Sequence, residues 1–408
     1  MTYSEAYLKL EQAGQTHLLA FYDTLTEEEQ ESLLTQIEKT DLSVTRYIGR
    51  KDQLQKWITI APLPALEIPA IEAERDRFER IGLEAIRRGE AAAVLLAGGM
   101  GTRLGSDAPK CMYDIGLTRH VYIMQRLIEN LREVTDRAGA EIPFLIMTSD
   151  RNHEQTVSFM EEHDFFGYPK EKVVFFRQDM APAADYDGKI LLESPSSLAL
   201  SPNGNGGWFE SMERAGILAG LKEQGVKWLN VFGVDNVLQR IADPCFIGAV
   251  IDRGCESGAK AVRKADRNEK VGALCLEDGH PAIIEYYEMS DELLDAADEK
   301  GNPLYNFGVI LNYLFRIDAL ERTLGEDFPT HVVEKKIACI DRQGKSVSPE
   351  APNGYKFEKL MIDQIRSLNS CLPYEVDRSR EFAPIKNRTG VDSVESARAL
   401  CLKNGIAL

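Results

Sequence analysis

One short segment constrains the fold of this chain more than any other: the apolar run AAAVLLA at 91–97, which ends in a pair of glycines. An uninterrupted apolar run of this length is typical of a central parallel strand that is buried on both faces. Further apolar runs at 143–149, 173–178 and 228–236 alternate with helical patterns at about 120–133, 152–163 and 210–224. This alternation indicates βαβ units and predicts an α/β protein with a parallel sheet.

The sequence on either side of this alternation carries different patterns. Residues 1–88 space their apolar positions by three and four, which predicts helices, and Thr26 with Glu29 forms a capping-box pattern ahead of one of them. After about residue 255, apolar strands follow one another with fewer helices between them, which predicts a mixed, partly antiparallel extension of the sheet. The last predicted elements are a helix at about 354–368, a strand near 372–376 and a helix at 393–404. We therefore divide the chain into a helical N-terminal domain (1–88), a central sheet domain (89–390) and a short helical tail (391–408).

Charge and cysteine usage narrow the function classes. The chain carries 48 Lys and Arg residues against 65 Asp and Glu residues, a formal charge of −17. A field of this sign repels nucleic-acid backbones and anionic membrane surfaces, so we expect neither as a partner. The sequence opens on no leader-like segment, and no apolar run reaches the roughly 20 residues of a membrane span. The seven cysteines are widely spaced with no CxxC, which favours free thiols in a reducing, cytoplasmic location.

A glycine-rich segment directly follows the first apolar strand. It reads LAGGMGTRLG at 96–105 and is followed by a Pro-Lys pair at 109–110. Glycine permits positive φ and lets the backbone approach a ligand closely, so that N–H groups can point at phosphate oxygens. Arg103 and Lys110 add positive charge to an acidic chain. The segment therefore favours a polyphosphate ligand, whose charge must be neutralised in the complex.

Two familiar phosphate-binding motifs fail by position in this segment. A Walker A loop needs a lysine after Gly105, where Ser106 stands. A GxGxxG fingerprint counted from Gly99 ends on Leu104. These failures exclude a P-loop NTPase and a dinucleotide-binding turn.

The glycine-rich segment with its Pro-Lys pair resembles the signature of the UDP-sugar pyrophosphorylases, the UTP:sugar-1-phosphate uridylyltransferases of the UDPGP type 1 family. Other segments continue the resemblance in the family's order over roughly residues 12–390: QAGQTHLLAFY, PKCMYDIGL, RQDMAPA, PNGNGGWF, VFGVDNVL, IIEYYE, PNGYKFEK and REFAPIKN. The branch that contains the N-acetylglucosamine enzymes is the most similar. The resemblance implies a Rossmann-like, glycosyltransferase-A-like nucleotidyltransferase fold with a mixed, mostly parallel sheet, and residues 89–390 as its catalytic domain.

The activity that the resemblance implies is uridylyl transfer. A sugar 1-phosphate oxygen attacks the α-phosphorus of UTP and pyrophosphate leaves, so the protein must align two polyanions and stabilise the leaving charge. The implied partners are these small-molecule substrates and Mg²⁺, with no nucleic acid and no membrane. The chain itself is expected to be a monomer or a weak homo-oligomer.

The resemblance also assigns site residues by their places in the family's motifs. Those assigned to UTP are Leu96, Ala97, Gly98, Gly99, Lys110, Gln178, Gly204, Asp235 and Lys356. Those assigned to the sugar and its phosphate are Asn205, Glu285, Tyr286 and Lys386. Arg103, Lys110 and Lys386 are expected to act catalytically, by neutralising the phosphates as the reaction proceeds.

Asp235 has support from its position as well. It follows the apolar run WLNVFGV, and a carboxylate at the carboxyl end of a central parallel strand faces the crevice where α/β sheets bind ligands. Mg²⁺ prefers one or two carboxylates together with phosphate oxygens and waters. Asp235 is therefore the expected Mg²⁺ ligand, with a helix-capping role as the alternative.

The identity of the sugar is open at one position. The N-acetylglucosamine enzymes carry an NAGN motif whose final asparagine contacts the sugar, whereas this chain reads NFGV with Val309 at that place. N-acetylglucosamine 1-phosphate is the first choice, and glucose or galactose 1-phosphate is the alternative. A non-catalytic UDP-sugar sensor is the alternative from a different class, although the complete set of charged site residues favours the enzyme. The short segment after residue 390 leads us to expect none of the extra C-terminal β-domain of the eukaryotic enzymes.

Overall fold

A computed structural model of the chain describes residues 1–49, 59–325 and 329–408. The contacts divide the chain into two units, each assembled from three separate stretches. The first unit contains Met1–Trp57, Asp179–Gly207 and Asp327–Met361, and the second contains Ile58–Gln178, Trp208–Glu326 and Ile362–Leu408. The N-terminal helices therefore group with two later stretches of the chain, whereas the sequence-based domains are continuous.

The second unit is built on a mixed ten-stranded sheet. Four neighbouring strands run parallel, in the spatial order Val173–Arg177, Phe144–Thr148, Ala91–Leu96 and Trp228–Gly233. Antiparallel pairing extends the sheet beyond the last of them, through Phe307–Arg316, Ala273–Glu277, His280–Ile284 and Ile60–Pro62. Two further strands pair parallel with each other and join at Phe307–Arg316: Ser257–Arg263 and Cys371–Glu375. The predicted α/β class and the predicted antiparallel extension are both confirmed.

The order of the parallel strands in the sheet departs from their order in the chain at one place. The chain adds Phe144–Thr148 and Val173–Arg177 on one side of Ala91–Leu96, and then places Trp228–Gly233 on its other side. Connections leaving the carboxyl ends of the two central strands therefore turn in opposite directions and leave a crevice, the usual ligand position in α/β sheets. Every residue of both central strands is buried, as predicted for the first apolar run.

Helices of the second unit follow the predicted alternation, with one break. Their bounds are Ile68–Arg87, Ile123–Ala138, His153–Glu162, Trp208–Arg214, Ile217–Glu223, Pro244–Asp252, Asp291–Asp295, Ile317–Glu321, Arg378–Glu381 and Val394–Lys403. The single helix predicted at about 210–224 is two helices, because Gly216 takes a φ of +73° between them. Within the described part of the chain, no helix has the length and apolar character of a membrane span.

The first unit combines the N-terminal helices with short strands. Its helices are Tyr3–Gln12 and Glu27–Lys39, and the capping box of Thr26 and Glu29 is confirmed at the start of the second. A three-stranded sheet joins distant stretches through His331–Lys335, Gly354–Glu358 and Ala184–Asp185. Three strand pairs complete the unit: Met180–Pro182 with Leu200–Pro202, Leu192–Ser194 with Ser197–Leu198, and Cys339–Ile340 with Ser346–Val347.

The prediction of a helix at about 354–368 is wrong for the first half of that range. Gly354–Glu358 is a strand that pairs on both sides, and only Met361–Arg366 is helical. A Cβ on Gly354 would lie 2.2 Å from the carbonyl oxygen of Ala184, so this strand needs a glycine at its closest approach. The pairing partners are distant in sequence, and a local pattern does not reveal them.

Two helices of the second unit cross in direct backbone contact. A Cβ on Gly82, in Ile68–Arg87, would lie 1.9 Å from the carbonyl oxygen of Pro244. A Cβ on Gly248, in Pro244–Asp252, would lie 1.8 Å from the carbonyl oxygen of Phe78. Because backbone atoms cannot give way without separating the helices, this crossing requires a glycine on each side.

We predict that Gly82→Ala destabilises the second unit by about 3 kcal/mol or more, since the added methyl group overpacks a backbone contact. Gly220→Ala is the matched control, because a Cβ in helix Ile217–Glu223 at that position meets no heavy atom within 4 Å. Alanine there should be neutral or stabilise by about 0.5–1 kcal/mol. Urea unfolding followed by circular dichroism measures both, and equal stability of the two variants would contradict the close crossing.

Candidate functional site

The glycine loop, residues 97–110, leaves the carboxyl end of Ala91–Leu96 at the crevice. Of its four glycines only Gly105 takes a positive φ, +77°, so the expectation of left-handed backbone applies to that position alone. A Cβ on Gly98 would lie 2.4 Å from Nε2 of Gln178. Glycine at this position therefore admits the Gln178 side chain against the loop, while Gly99 has no heavy atom within 4 Å of its Cβ position and faces open space.

Gln178 reaches the loop from the next parallel strand but one in the sheet. It follows Val173–Arg177 directly and is buried. Its side-chain amide makes no hydrogen bond to any residue that the structure describes. An amide with free donor and acceptor groups can match the edge of a nucleobase. The structure thus brings together Gln178 and Gly98, two residues predicted to bind the nucleotide.

Two buried side chains that the sequence analysis missed hold the loop from the next strand. Ser149 Oγ donates to the carbonyl oxygen of Gly98 at 3.0 Å. Asn152 Nδ2 donates to the carbonyl oxygens of Ala97 at 2.8 Å and Gly99 at 3.3 Å. Both residues follow the apolar strand Phe144–Thr148, and polar residues at that edge of a parallel sheet were the available signal.

An ion pair spans the crevice between the two central strands. Lys110 ends the glycine loop and Asp235 lies two residues after Trp228–Gly233. The Lys110 Nζ donates to Asp235 Oδ1 at 2.6 Å, and the side chains are 12 % and 39 % exposed. The second carboxylate oxygen of Asp235 has no partner among the described residues, so it is available to a cation.

Asp235 is the residue at this place that could hold a metal ion. In the described ranges, no group of three or more His, Cys, Asp or Glu side chains is placed to hold a metal ion. A lone carboxylate with a free oxygen fits Mg²⁺, which keeps several waters and takes further ligands from substrate phosphates. The donor set therefore fits a Mg²⁺ ion that shares its coordination with a polyphosphate.

The neighbouring Asn236 ties the Asp235 turn to the segment that carries Lys386. Its Nδ2 donates to the carbonyl oxygen of Glu381 at 2.7 Å, and its Oδ1 accepts from the N–H of Ala383 at 2.9 Å. The N–H of residue 385 also donates to the carbonyl oxygen of Asp235 at 2.9 Å. Lys386 thereby lies beside the turn, where its Nζ pairs with Asp392 Oδ2 at 3.2 Å.

A buried lysine also holds the segment that carries Lys386. Lys260 is fully buried, and its Nζ donates to Asp243 Oδ2 at 3.0 Å and Glu381 Oε2 at 2.6 Å. Burial disfavours the charged form of Asp243, but the positive charges of Lys260 and Arg240 outweigh it and hold the pKa of that carboxyl below its usual range. Asp243 also caps helix Pro244–Asp252, with its side chain accepting from the N–H of Cys245. The charge network therefore stabilises the backbone that positions Lys386.

Two exposed arginines add unpaired positive charge to the loop. Arg103 lies in the turn Thr102–Leu104 and makes no ion pair with another described residue. Arg388, which the sequence analysis missed, lies two residues after Lys386, and its Nη1 is 4.0 Å from the Cβ position of Gly105. Its place directly after the REFAPIKN segment was the available signal.

The cysteine that directly follows the glycine loop does not have the properties of a nucleophile. Cys111 follows Lys110 directly and is buried, and burial raises the pKa of its thiol to about 12. A thiol of this kind stays protonated at neutral pH and unreactive. The polar groups that the loop offers a ligand are its cationic side chains and its backbone donors.

Two of the residues assigned to the sugar lie in another part of the second unit. Glu285 and Tyr286 directly follow strand His280–Ile284, where Glu285 is half-buried and the Tyr286 ring is exposed. Glu285 Oε1 is 3.7 Å from the Cβ position of Gly272, whose carbonyl oxygen accepts from the N–H of Val309. Glu285 and Val309 thus share a neighbour in the antiparallel part of the sheet.

Three assigned residues belong to the first unit. The N–H of Lys359 donates to the carbonyl oxygen of Asn203 at 2.6 Å, and Asn205 Oδ1 accepts from the N–H of Met361 at 3.0 Å. Gly204, with a φ of +89°, closes this turn. Lys356 lies on the adjoining strand Gly354–Glu358 and makes no ion pair with a described residue. The first unit therefore brings Gly204, Asn205 and Lys356 into one neighbourhood.

Known proteins are similar to this chain in both sequence and fold. A yeast protein of Saccharomyces cerevisiae named UDP-N-acetylglucosamine pyrophosphorylase is 36% identical, over 97% of this chain and 88% of its own length. A mouse protein named UDP-N-acetylhexosamine pyrophosphorylase-like protein 1 is also 36% identical, over 94% of this chain and 80% of its own length. The solved structure of the Trypanosoma brucei uridine diphosphate N-acetylglucosamine pyrophosphorylase superposes with a TM-score of 0.84 at 26% identity, covering 98% of this chain and 84% of that one.

A family-level comparison agrees with these individual similarities. The sequence model of the family described as UTP–glucose-1-phosphate uridylyltransferase matches residues 44–403. That match includes every site residue assigned above, from the glycine loop to Lys386. The match covers most of the chain, and the relatives are similar over most of their own length. The chain therefore belongs to the UTP–glucose-1-phosphate uridylyltransferase family, the nucleotidyltransferases that include the UDP-sugar pyrophosphorylases.

Proposed function

We propose that this protein transfers the uridylyl group of UTP to N-acetylglucosamine 1-phosphate and releases pyrophosphate. The observation that carries the proposal is the Lys110–Asp235 ion pair beside the glycine loop, at the switch point of the sheet, in a chain of this family. A cation and a metal-binding carboxylate at one crevice are what a nucleoside triphosphate requires. The seven free thiols are consistent with a reducing, cytoplasmic location, and a monomer or a weak homo-oligomer stays our prediction.

The proposed chemistry needs no covalent intermediate on the protein. An oxygen of the sugar phosphate forms a bond to the α-phosphorus, and the bond from that phosphorus to the bridging oxygen of the β-phosphate breaks. Pyrophosphate leaves with that oxygen. The protein contributes alignment of the two phosphates and stabilisation of the charge that develops on the leaving group.

Three cations at the crevice have a role in the proposed reaction. Lys110 and Arg103 bind the triphosphate, and Lys386 binds the phosphate of the sugar. In the free protein, Lys110 pairs with Asp235 and Lys386 with Asp392, so both ammonium groups are already oriented by a carboxylate. Substrate phosphates then replace these carboxylates as partners, and oriented charges lose less entropy when they bind.

Asp235 is the proposed ligand of Mg²⁺. When bound, the ion neutralises charge on the triphosphate and on the leaving pyrophosphate. Asp235 contributes the carboxylate oxygen that Lys110 leaves free. Gln178 presents its free amide to the uracil, and Leu96 to Gly99 line the nucleotide.

The choice of sugar follows the names of the relatives, and one residue supports an alternative. The yeast and trypanosome proteins are named for N-acetylglucosamine. Val309 is half-buried and cannot donate the hydrogen bond of the asparagine that the motif carries elsewhere. Glucose 1-phosphate and galactose 1-phosphate are therefore the second candidates, and Glu285, Tyr286 and Asn205 are the proposed contacts to the sugar.

A panel of sugar 1-phosphates tests the proposal. With UTP and Mg²⁺, we expect pyrophosphate release with the highest kcat/KM for N-acetylglucosamine 1-phosphate. A higher value for glucose or galactose 1-phosphate would transfer the assignment to that sugar. Tight UDP-sugar binding with no turnover of any sugar would contradict the enzyme and support a sensor.

We predict that Asp235→Asn lowers kcat/KM for UTP by about 10²–10³-fold, the typical effect of losing one preorganised charge contact. The amide keeps the shape of the carboxylate but gives up the charge that pairs with Lys110 and binds Mg²⁺. Asp318→Asn is the control, because it removes an exposed carboxylate that pairs only with Arg316. Equal rates for the two variants would rule out the proposed role of Asp235.

We predict that Lys386→Ala raises the KM for the sugar 1-phosphate about 10- to 100-fold, the range expected for a lost charged hydrogen bond. The KM for UTP should change little, since Lys110 and the loop remain. Lys403→Ala, on the exposed face of the terminal helix, is the control. Steady-state kinetics with each substrate varied separately measure both constants, and a selective effect on UTP would argue against this assignment.

A further inference from the structure

Three consecutive carbonyl groups of the glycine loop are turned to the same side. Those of Ala97 and Gly99 accept from Asn152 Nδ2, and that of Gly98 accepts from Ser149 Oγ. The two donors are almost completely buried, at 2 % exposure for Ser149 and 0 % for Asn152. We call these two residues the loop clamp.

The clamp is itself held in one arrangement. Asn152 Oδ1 accepts from the N–H of Ser149 at 2.8 Å and lies 3.0 Å from Ser149 Oγ, whose single proton is shared between Oδ1 and the carbonyl oxygen of Gly98. This fixes which end of the amide faces the loop, because the oxygen is engaged by Ser149 and the Nδ2 must face the carbonyls. Asn152 also begins helix His153–Glu162, so its backbone is fixed by that helix.

Fixing the carbonyls determines where the loop's N–H groups point. The peptide bonds of the described chain are trans, and a trans peptide directs its N–H opposite to its C=O. The same three peptide units carry the N–H groups of Gly98, Gly99 and Met100. These N–H groups therefore point away from the clamp, and none has an acceptor among the described residues.

Free N–H groups at this place face the ligand side of the loop. Gly98 and Met100 are partly exposed and Gly99 is exposed, so the three groups can reach a ligand. Adjacent backbone N–H groups aimed at one point form an anion-binding concavity. A buried donor pair that restrains the loop in this orientation removes the entropy that a mobile loop would lose on binding.

We propose that Ser149 and Asn152 are positioning residues for UTP: they hold the glycine loop with the N–H groups of Gly98, Gly99 and Met100 free for the nucleotide. Neither residue touches the substrate in this account. The inference rests on the proposed function for its ligand, UTP, and goes beyond it in assigning the orientation of the loop to two residues behind it.

The experiment is UTP titration of the intact chain by calorimetry, for the wild type, Ser149→Ala and Asn152→Ala. We expect Ser149→Ala to weaken UTP binding about tenfold. Asn152→Ala should weaken it at least as much, because it frees the carbonyl of Ala97 and leaves the carbonyl of Gly99 only the N–H of Lys110 among the described donors. The KM for the sugar 1-phosphate, measured at saturating UTP, should stay within twofold of the wild type (about the error of such a comparison). A general loss of folding would raise both.

Thr148→Val is the matched control. Thr148 precedes Ser149 and is fully buried. Its hydroxyl lies 2.8 Å from His153 Nδ1 and 3.1 Å from the carbonyl oxygen of Phe176, and neither contact is to the loop. Its isosteric replacement removes a buried hydroxyl from the same strand, so it should lower the melting temperature as Ser149→Ala does while leaving UTP affinity unchanged.

The outcomes separate this inference from the proposed function. Wild-type affinity for UTP in both clamp variants would overturn the inference, and so would an equal loss of affinity in Thr148→Val. A wild-type chain that binds no UTP would contradict the proposed function itself. Should Asn152→Ala fail to fold, Ser149→Ala still decides, because it removes a single hydroxyl group.

Discussion

The crevice between two parallel strands is the constraint on which the site depends. Ala91–Leu96 and Trp228–Gly233 are neighbours in space, but the chain leaves them in opposite directions, so the sheet cannot close over their carboxyl ends. The glycine loop follows one strand and Asp235 follows the other. The Lys110–Asp235 ion pair joins them at 2.6 Å, and the buried side chains of both strands fix the two ends that it connects.

Charge at this crevice is opposite to that of the protein as a whole. The chain has a formal charge of −17, yet Arg103, Lys110, Lys386 and Arg388 lie on the loop and on the segment beside Asp235. Two of these cations are oriented by a carboxylate and two are unpaired with described residues. The net charge of a protein therefore determines how strongly it repels extended polyanions. The attraction of a small phosphate ligand depends on the cations near its binding site.

The sequence predicts well those features that have a local cause. The apolar run at 91–97 predicts a strand buried on both faces, and Thr26 with Glu29 predicts a helix start, because burial and capping depend on adjacent residues. The strand Gly354–Glu358 was predicted as a helix, since its partners come from distant stretches. At the site, residue types identify the loop and Asp235, but not the clamp of Ser149 and Asn152, whose role arises from contacts across two strands. The need for a glycine at position 98 could not be predicted either, because it arises from the close approach of the Gln178 side chain.

The crystal structure of the chain with UTP and Mg²⁺ tests the central claim most directly. We predict that the nucleotide lies at the switch point, with its phosphates at the glycine loop and Lys110. The Mg²⁺ ion should bind the carboxylate of Asp235, and the uracil should meet the amide of Gln178. A nucleotide bound away from the crevice, with the Lys110–Asp235 ion pair intact and the N–H groups of Gly98 and Gly99 unoccupied, would contradict it.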